Sequence, residues 1–223
     1  PDNSRCFSYL FPTFDQAVTA ARHISQSMSG MPSILRISDA EETDVAFKMY
    51  GLENGLLDKY VRMKGMQPGN RCILMGQTDG DRAFAGNLAR KIKQLCRNNQ
   101  GSSLTGYPMK KWRHGRFSDP YMRDALNDVG VLIDTLEASV TWDHIHDLHQ
   151  AVRKHIKARP HTICMTHASH FYAQGTNLYF IFITREDDIE AFSAYQQSII
   201  DAIERAGGSL SHHHGVGRMM APW

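Results

Sequence analysis

Apolar positions along this chain switch between a period of two and a period near 3.6, and the sequence of switches occurs twice. Residues 4–11, Ser-Arg-Cys-Phe-Ser-Tyr-Leu-Phe, are rich in aromatic side chains and predict a strand. Thr13, three residues before Gln16, then forms a capping box that predicts a helix to about Met28. A short strand at 33–38, a helical insertion over 40–62, a strand at 71–76 and an amphipathic helix at 81–97 follow. The last is marked by Phe84, Leu88, Ile92 and Leu95. A weak strand near 102–106 ends the first set.

A linking helix around 119–128 leads into the second set. It comprises strand 131–138, helix 143–157 (Ile145, Leu148, Val152, Ile156), strand 162–168, strand 177–184, helix 188–206 and strand 208–213. The stripe of the helix at 188–206 is Ile189, Phe192, Ile199, Ile200 and Ile203. Each set reads β-α-β-β-α-β, the ferredoxin-like order. The fold class is therefore α+β, an antiparallel sheet with helices on one face, in two units over about 1–106 and 131–213. The open face of such a sheet favours association, so a ligand or another domain is expected against it.

Composition narrows the function classes. With 223 residues and 42% hydrophobic content the chain can bury a core. A net charge of +2, with both signs interspersed, offers no footprint for nucleic acid. No apolar run approaches the roughly 18 residues that span a bilayer. Four scattered cysteines, Cys6, Cys72, Cys96 and Cys164, lack metal-type spacing and read as reduced thiols of a cytoplasmic protein.

The candidate chemistry gathers in four places: Arg36-Ile37-Ser38-Asp39; Arg116 with Tyr121-Met122-Arg123-Asp124; His167 to Tyr172; and Ser211-His212-His213-His214-Gly215-Val216-Gly217-Arg218. Imidazole titrates near neutrality and glycine lets backbone approach a ligand, so the last run suits proton transfer at a bound molecule. Three histidines are too few for an expression tag, the bland alternative. If 162–172 is one extended strand, Cys164, Thr166, Ala168, His170 and Tyr172 share a face and His167 lies opposite. His170 and Tyr172 then form an acid/base pair. The same parity sets His212 and His214 against His213, so one or two of the three face the site. The competing readings are a packing tyrosine at 172, a helix-surface pair of Arg123 with Asp124, and a solvated strand-end Arg36. Zinc held by imidazoles is the sharper rival, but the spacing of His167 and His170 puts them on opposite faces, and no metal is expected. His144, His146, His149 and His155 read as solvent-facing or packing residues. Gly215-Val216-Gly217 lacks the third glycine of a dinucleotide loop, so any phosphates must be held by other chain.

The run 209–218, together with Ser169-His170-Phe171-Tyr172, Gly175, Leu178-Tyr179-Phe180, the segment Phe117 to Trp142 and Ser33 to Asp39, resembles the alkyldihydroxyacetonephosphate synthase family of FAD-linked oxidases, of the vanillyl-alcohol-oxidase type. The resemblance spans nearly the whole chain. It implies that residues 1–223 are the C-terminal cap of a flavoenzyme whose N-terminal domain, absent here, holds most of the FAD. It further implies a flavin acting as covalent catalyst, with a long-chain alcohol replacing a fatty carboxylate and no net redox change. By position, Tyr172 resembles the proton-exchanging tyrosine, and His212, His213 and His214 the run along the flavin. Arg36, Arg123 and His170 fall to substrate binding, and Ser211, His213 and Gly215 to the cofactor. A phenol can donate to a departing carboxylate, and a guanidinium fork pairs carboxylate or phosphate. The alternative is oxidation of a small 2-hydroxy acid such as lactate or glycolate. The expected partners are the chain's own FAD-binding domain and a lipid-like or hydroxy-acid substrate, with peripheral membrane contact, a homodimer and, in a eukaryote, a peroxisomal location.

Overall fold

A computed structural model describes residues 3–117 and 120–223. It divides into two units, the first comprising residues 1–116 and 169–173 and the second 117–168 and 174–223. In the first, the elements run β1 (Arg5–Phe11), α1 (Phe14–Gln26), β2 (Ile34–Ser38), α2 (Ala40–Met49), α3 (Leu56–Met63), β3 (Cys72–Thr78), α4 (Arg82–Asn98), β4 (Ser102–Ser103) and α5 (Tyr107–Gly115). The strands lie in the order β4-β1-β3-β2. Each pairing is antiparallel, with Tyr9 opposite Leu74 and Arg36 opposite Met75. This is the strand order of a ferredoxin-like unit.

The capping box forms as the spacing predicts: the Gln16 N–H donates to Thr13 Oγ1 at 3.3 Å. Along β1 the alternation divides the core. Phe11 lies against Cys96 and Gly101, where a Cβ on Gly101 would come within 2.7 Å of its ring. Leu10, on the opposite face, joins Phe47, Val61, Met66 and Ile73. The insertion, broken into α2 and α3 around Gly51 and Gly55, thus adds cover to the second face of this sheet. The sequence reading missed α5. Gly106 and Pro108 look like loop residues, yet proline is tolerated in a first helical turn, where its missing N–H would have no helical partner. The buried stripe of α4 is Ala85, Leu88, Ile92 and Cys96, one position round from the expected one, with Phe84 turned outward.

Under the insertion lies a buried ion cluster. Arg71 Nε donates to Asp44 Oδ1 at 2.8 Å, its Nη1 donates to Asp58, and its guanidinium lies 3.8 Å from the Phe47 ring centre. Arg62 pairs with Asp58 at 2.6 Å, and the Asn54 N–H adds a bond at 3.0 Å. Burial pushes the Asp58 carboxyl up, but the bonds from Arg71 and Arg62 prevail and bring it down to about 2.

The second unit runs α6 (Pro120–Asn127), β5 (Val131–Thr141), α7 (Ile145–Lys157), β6 (Ile163–Ser169), β7 (Gly175–Arg185) and α8 (Ile189–Arg205), with strand order β6-β7-β5. The linking helix expected at 119–128 is α6; its first expected residue, 119, lies outside the described residues, as do the side chains of Tyr121 and Met122. Residues 208–213 do not form the expected strand. Only Ser209 bridges, to Ser139, with backbone bonds of 3.0 and 2.9 Å. Leu136, Ala138, Val140, Leu178, Phe180 and Phe182 face α7 and α8, which contribute Ile145, Leu148, Val152, Ile156, Ile199, Ile200 and Ile203. Ile189, expected in the α8 stripe, is exposed at the helix start. The other parity, Thr135, Glu137, Ser139, Asn177 and Tyr179, forms a polar stripe on the face away from those helices.

Replacing Arg71 with alanine leaves Asp58 and Asp44 beside a hole in the core of the first unit. Removal of one partner from a buried pair costs about 3–5 kcal/mol, so the urea midpoint should drop accordingly, whereas Lys59→Ala on the exposed side of α3 should leave it unchanged.

Candidate active site

The polar stripe of the second unit converges on Glu137. Its side chain is 1% exposed, although it springs from a strand whose neighbours Leu136 and Ala138 are core residues. A carboxylate so buried needs a full set of donors. Four of them come from the chain just after Ser209. The backbone N–H groups of His212, His213 and His214 donate to Oε1 at 2.9, 2.7 and 2.8 Å, and Ser211 Oγ lies 3.3 Å from the same atom. Oε2 accepts from Asn177 Nδ2 at 2.9 Å and lies 2.8 Å from His213 Nδ1. Burial pushes this carboxyl up, and the three backbone bonds from His213, His214 and His212 overcome it, bringing the group down to about 2.

Three consecutive N–H groups can point at one atom only if the chain curls, which is why the run is a turn and not the extended segment of the sequence reading. The expected alternation, His212 and His214 against His213, is corrected accordingly. The rings meet edge to face, with 5.3 Å between the centres of His212 and His213 and 4.4 Å between His213 and His214, the planes inclined at 74° and 73°. The turn is left through Gly215 at φ +80°, a conformation glycine adopts without strain. Nothing lies within 4 Å of where a Cβ on Gly215 would be, so backbone there is open to an approaching molecule.

Tyr179 forms the floor beside the turn. Its ring meets the edge of His214 at 5.1 Å and stacks on His167 at 4.9 Å, and its hydroxyl bonds to Thr135 Oγ1 at 3.0 Å. Over β6 itself Thr166 turns its hydroxyl toward Arg153 of α7 while His167, its neighbour, stacks on Tyr179 on the stripe side, as the parity requires. That parity does not extend to residue 172. β6 ends at Ser169 and His170 takes φ +55°, so the proposed shared strand face of His170 and Tyr172 does not exist.

The remaining candidates are distributed as follows. In the first unit, Tyr172 is 51% exposed in the connection after β6, which Gln26 Nε2 ties to the end of α1 through the Ala173 carbonyl at 2.8 Å. His170 Nδ1 lies 3.1 Å from Ser169 Oγ. Arg36 is no solvated strand end. It pairs with Glu42 at 2.6 Å and lies 5.5 Å from the Trp112 ring centre. In the second unit, Arg123 is exposed on α6, while Ser211, His212, His213, His214 and Gly215 all belong to the Glu137 turn. His144 and His146 are exposed, and His155 is half-buried with its Nε2 2.9 Å from Ser198 Oγ.

Glu137, Asn177 and Tyr179 escaped the sequence reading as site residues, and His167 entered it only as a member of the 167–172 cluster on the opposite strand face. A signal for the first was present: an acidic residue flanked by leucine and alanine within an apolar strand must find donors. Glu137, His213 and His214 also offer ligand atoms within 4.8 Å of one another, a set that could hold a divalent ion only if His213 gave up its bond to the carboxylate.

Comparison with known proteins places the chain. The family of FAD linked oxidases, C-terminal domain, matches residues 1–223, and the chain belongs to it. An alkyldihydroxyacetonephosphate synthase of Dictyostelium discoideum is 30% identical over 100% of this chain and 39% of its own length. An FAD-linked oxidoreductase of Escherichia coli, YgcU, is 24% identical over 100% of this chain and 46% of its own. A solved alkyldihydroxyacetonephosphate synthase superposes with a TM-score of 0.84 at 27% identity, covering 96% of this chain and 41% of that one. The chain thus spans less than half the length of these relatives and is the C-terminal domain of an FAD-dependent enzyme.

The residues present suit part of that cofactor. Imidazoles beside open glycine backbone match the polar edge of a flavin ring. The diphosphate needs a different cradle, and the sequence has no Gly-x-Gly-x-x-Gly loop.

The Glu137 carboxyl ordinarily titrates near 4.5 and is held at about 2 in the folded unit, so its bonds stabilise fully above pH 4.5 and are lost as the pH falls through about 2. Acid titration of the complete protein, followed by hydrogen exchange at the 212–214 amides, should show that protection decline between those values. Glu137→Gln should remove that pH dependence, on the order of 3 kcal/mol.

Proposed function

We propose that the complete enzyme exchanges the acyl group of an acylated dihydroxyacetone phosphate for a long-chain alkyl group. The observation that carries this reading is the histidine turn held by Glu137 on the sheet face away from α7 and α8. Similarity along the whole of this chain to about two fifths of the length of alkyldihydroxyacetonephosphate synthases supports it. The covalent chemistry of the exchange is supplied by FAD when bound, with its phosphates held by an N-terminal domain.

In this reading the chain's own residues bind, orient and move protons. His212, His213 and His214 line the ring, Ser211 and Gly215 bring hydroxyl and backbone to its edge, and Arg36, Arg123 and His170 hold phosphate or carboxylate groups of the substrate. Tyr172, a half-exposed residue, delivers a proton to the departing carboxylate. A lipid-like substrate also suits α3, where Leu56, Tyr60 and Met63 stand exposed at 88, 52 and 80% beside Lys59 and Lys64, a pattern that fits a membrane surface. Assembly as a homodimer and, in a eukaryote, a peroxisomal site of action belong to the same reading.

Similarity to an FAD-linked oxidoreductase favours a second reading, oxidation of a 2-hydroxy acid. Incubation of the complete enzyme with acylated dihydroxyacetone phosphate and labelled hexadecanol separates the two. Labelled ether product is expected, and its absence together with anaerobic bleaching of the flavin by lactate or glycolate would replace the first reading with the second. Tyr172→Phe should leave the fold and FAD content intact and lower turnover by about 10²–10⁴-fold, measured as ether formed per bound flavin.

A further inference from the structure

We propose that the first unit carries a site for the headgroup phosphate of an anionic phospholipid, formed by Lys64, Arg97, Ser102 and Ser103 in a cleft beside the exposed side of α3. The proposal deepens the lipid-facing part of the proposed function and rests on it, but uses none of the residues assigned to the exchange itself.

The chain is near charge balance as a whole, at +2, yet residues 82–116 hold nine lysines and arginines and no aspartate or glutamate. Helices α4 and α5 take up most of that run, with the two-residue strand β4 between them. β4 lies at the end of the sheet and pairs with β1, Ser102 opposite Leu10 and Ser103 opposite Tyr9. Together with the end of α4 and the last turn of α3 it lines a cleft of about 320 Å³. That is the lower end of the range of roughly 300–1,000 Å³ found for small-molecule sites.

Each wall is fixed from behind. Val61 and Met66 belong to the apolar cluster of Leu10 and Ile73, with Leu104 packed against it, and this seats the turn of α3 that brings Tyr60 and Lys64 to the cleft. On the other side the Gly101 N–H donates to the Cys96 carbonyl at 2.8 Å. A Cβ on Gly101 would come within 2.8 Å of that same oxygen, so only glycine lets the chain leaving α4 turn so closely into β4. Arg97 and Ser102 reach one opening as a result.

The cleft has the donors a phosphate requires. No acidic side chain lines it, and among the described residues neither Lys64 nor Arg97 has an ion-pair partner. Lys64 Nζ lies 5.9 Å from the Tyr60 ring centre. Ser103 Oγ accepts from the Thr105 N–H at 3.4 Å and keeps its own hydrogen to donate, and the Ser102 hydroxyl makes no hydrogen bond within the described residues. Two cations and two hydroxyls around one opening match an anion whose oxygens only accept.

Helix α3 decides the source of that anion. Leu56, Tyr60 and Met63 recur at i, i+4 and i+7 on its exposed side, with Asp58 and Val61 buried on the other. Neither a soluble phosphate nor a nucleic acid has a use for such an apolar stripe. A bilayer has, because its acyl boundary takes up the apolar side chains while the headgroups lie level with the basic ones. Tyr60 belongs to both the stripe and the cleft wall, so a lipid whose phosphate entered the cleft would lie against α3.

The test is flotation of the complete, FAD-loaded enzyme with vesicles of phosphatidylcholine, alone or with phosphatidylglycerol added. Binding to the mixed vesicles and not to phosphatidylcholine alone is expected. Lys64→Ala with Arg97→Ala should weaken it about 30-fold, as two basic side chains leave an anionic surface. Arg82→Ala with Lys154→Ala removes the same charge at the far end of α4 and in the second unit, and should change binding by less than about threefold. All four side chains are exposed, so both variants should keep the wild-type urea midpoint. Equal losses in the two variants would reduce the cleft to general charge attraction and overturn the proposal, as would equal binding of the wild type to both kinds of vesicle. Release of the bound enzyme by glycerol 3-phosphate, at an ionic strength where chloride has no effect, would assign the cleft to a soluble phosphate and overturn the lipid assignment; retention of an oligonucleotide in place of vesicles would do the same. Ether formation separates this site from the proposed function. An enzyme that floats as expected and forms no ether keeps the site and loses the exchange, whereas one that forms ether and never floats loses the site alone.

Discussion

A buried carboxylate in a sheet is costly unless its surroundings are rebuilt to serve it, and the second unit is organised around that requirement. Glu137 sits one residue from core leucine and alanine, yet points to the face that α7 and α8 do not cover. Water would otherwise be its donor. Instead the chain after Ser209 abandons strand pairing after a single bridge and curls so that three successive peptide N–H groups meet one oxygen. The turn, the placement of its imidazoles and the exit through Gly215 are all consequences of satisfying that one group. A fourth full strand would have paired those N–H groups with β5 and left Glu137 without them.

The first unit handles buried charge differently. Arg71 and Asp58 are enclosed by the α2–α3 insertion and neutralise each other, with Asp44, Arg62 and the Phe47 ring completing the shell. Such a cluster specifies where the insertion docks on β1 and β3. At Glu137 three of the partners are backbone donors of a turn, joined by the side chains of Ser211, His213 and Asn177. The same physical cost is met by side-chain cations in one unit and chiefly by peptide groups in the other.

The ring of Tyr179 shows how the sheet supports the turn. Cross-strand from Glu137, it is pinned at the hydroxyl by Thr135 and sandwiched by His167 and His214.

Much of this was legible in the chain itself. Period-two and period-3.6 patterns mark the helices and strands of both ferredoxin-like units to within a few residues, because side-chain burial against a neighbouring layer imposes those periods whatever the partner is. Histidines 212–214 stand out by type, and Thr13 with Gln16 announces its own helix. What sequence could not decide was the conformation of 208–213, since three histidines carry no periodicity and their backbone is bent by a residue more than seventy positions earlier. Local pattern determines which segments are helix and strand. Only the tertiary structure decides which buried charge meets which donor, because that pairing is an energy between distant parts of the chain and leaves no trace in the spacing of either.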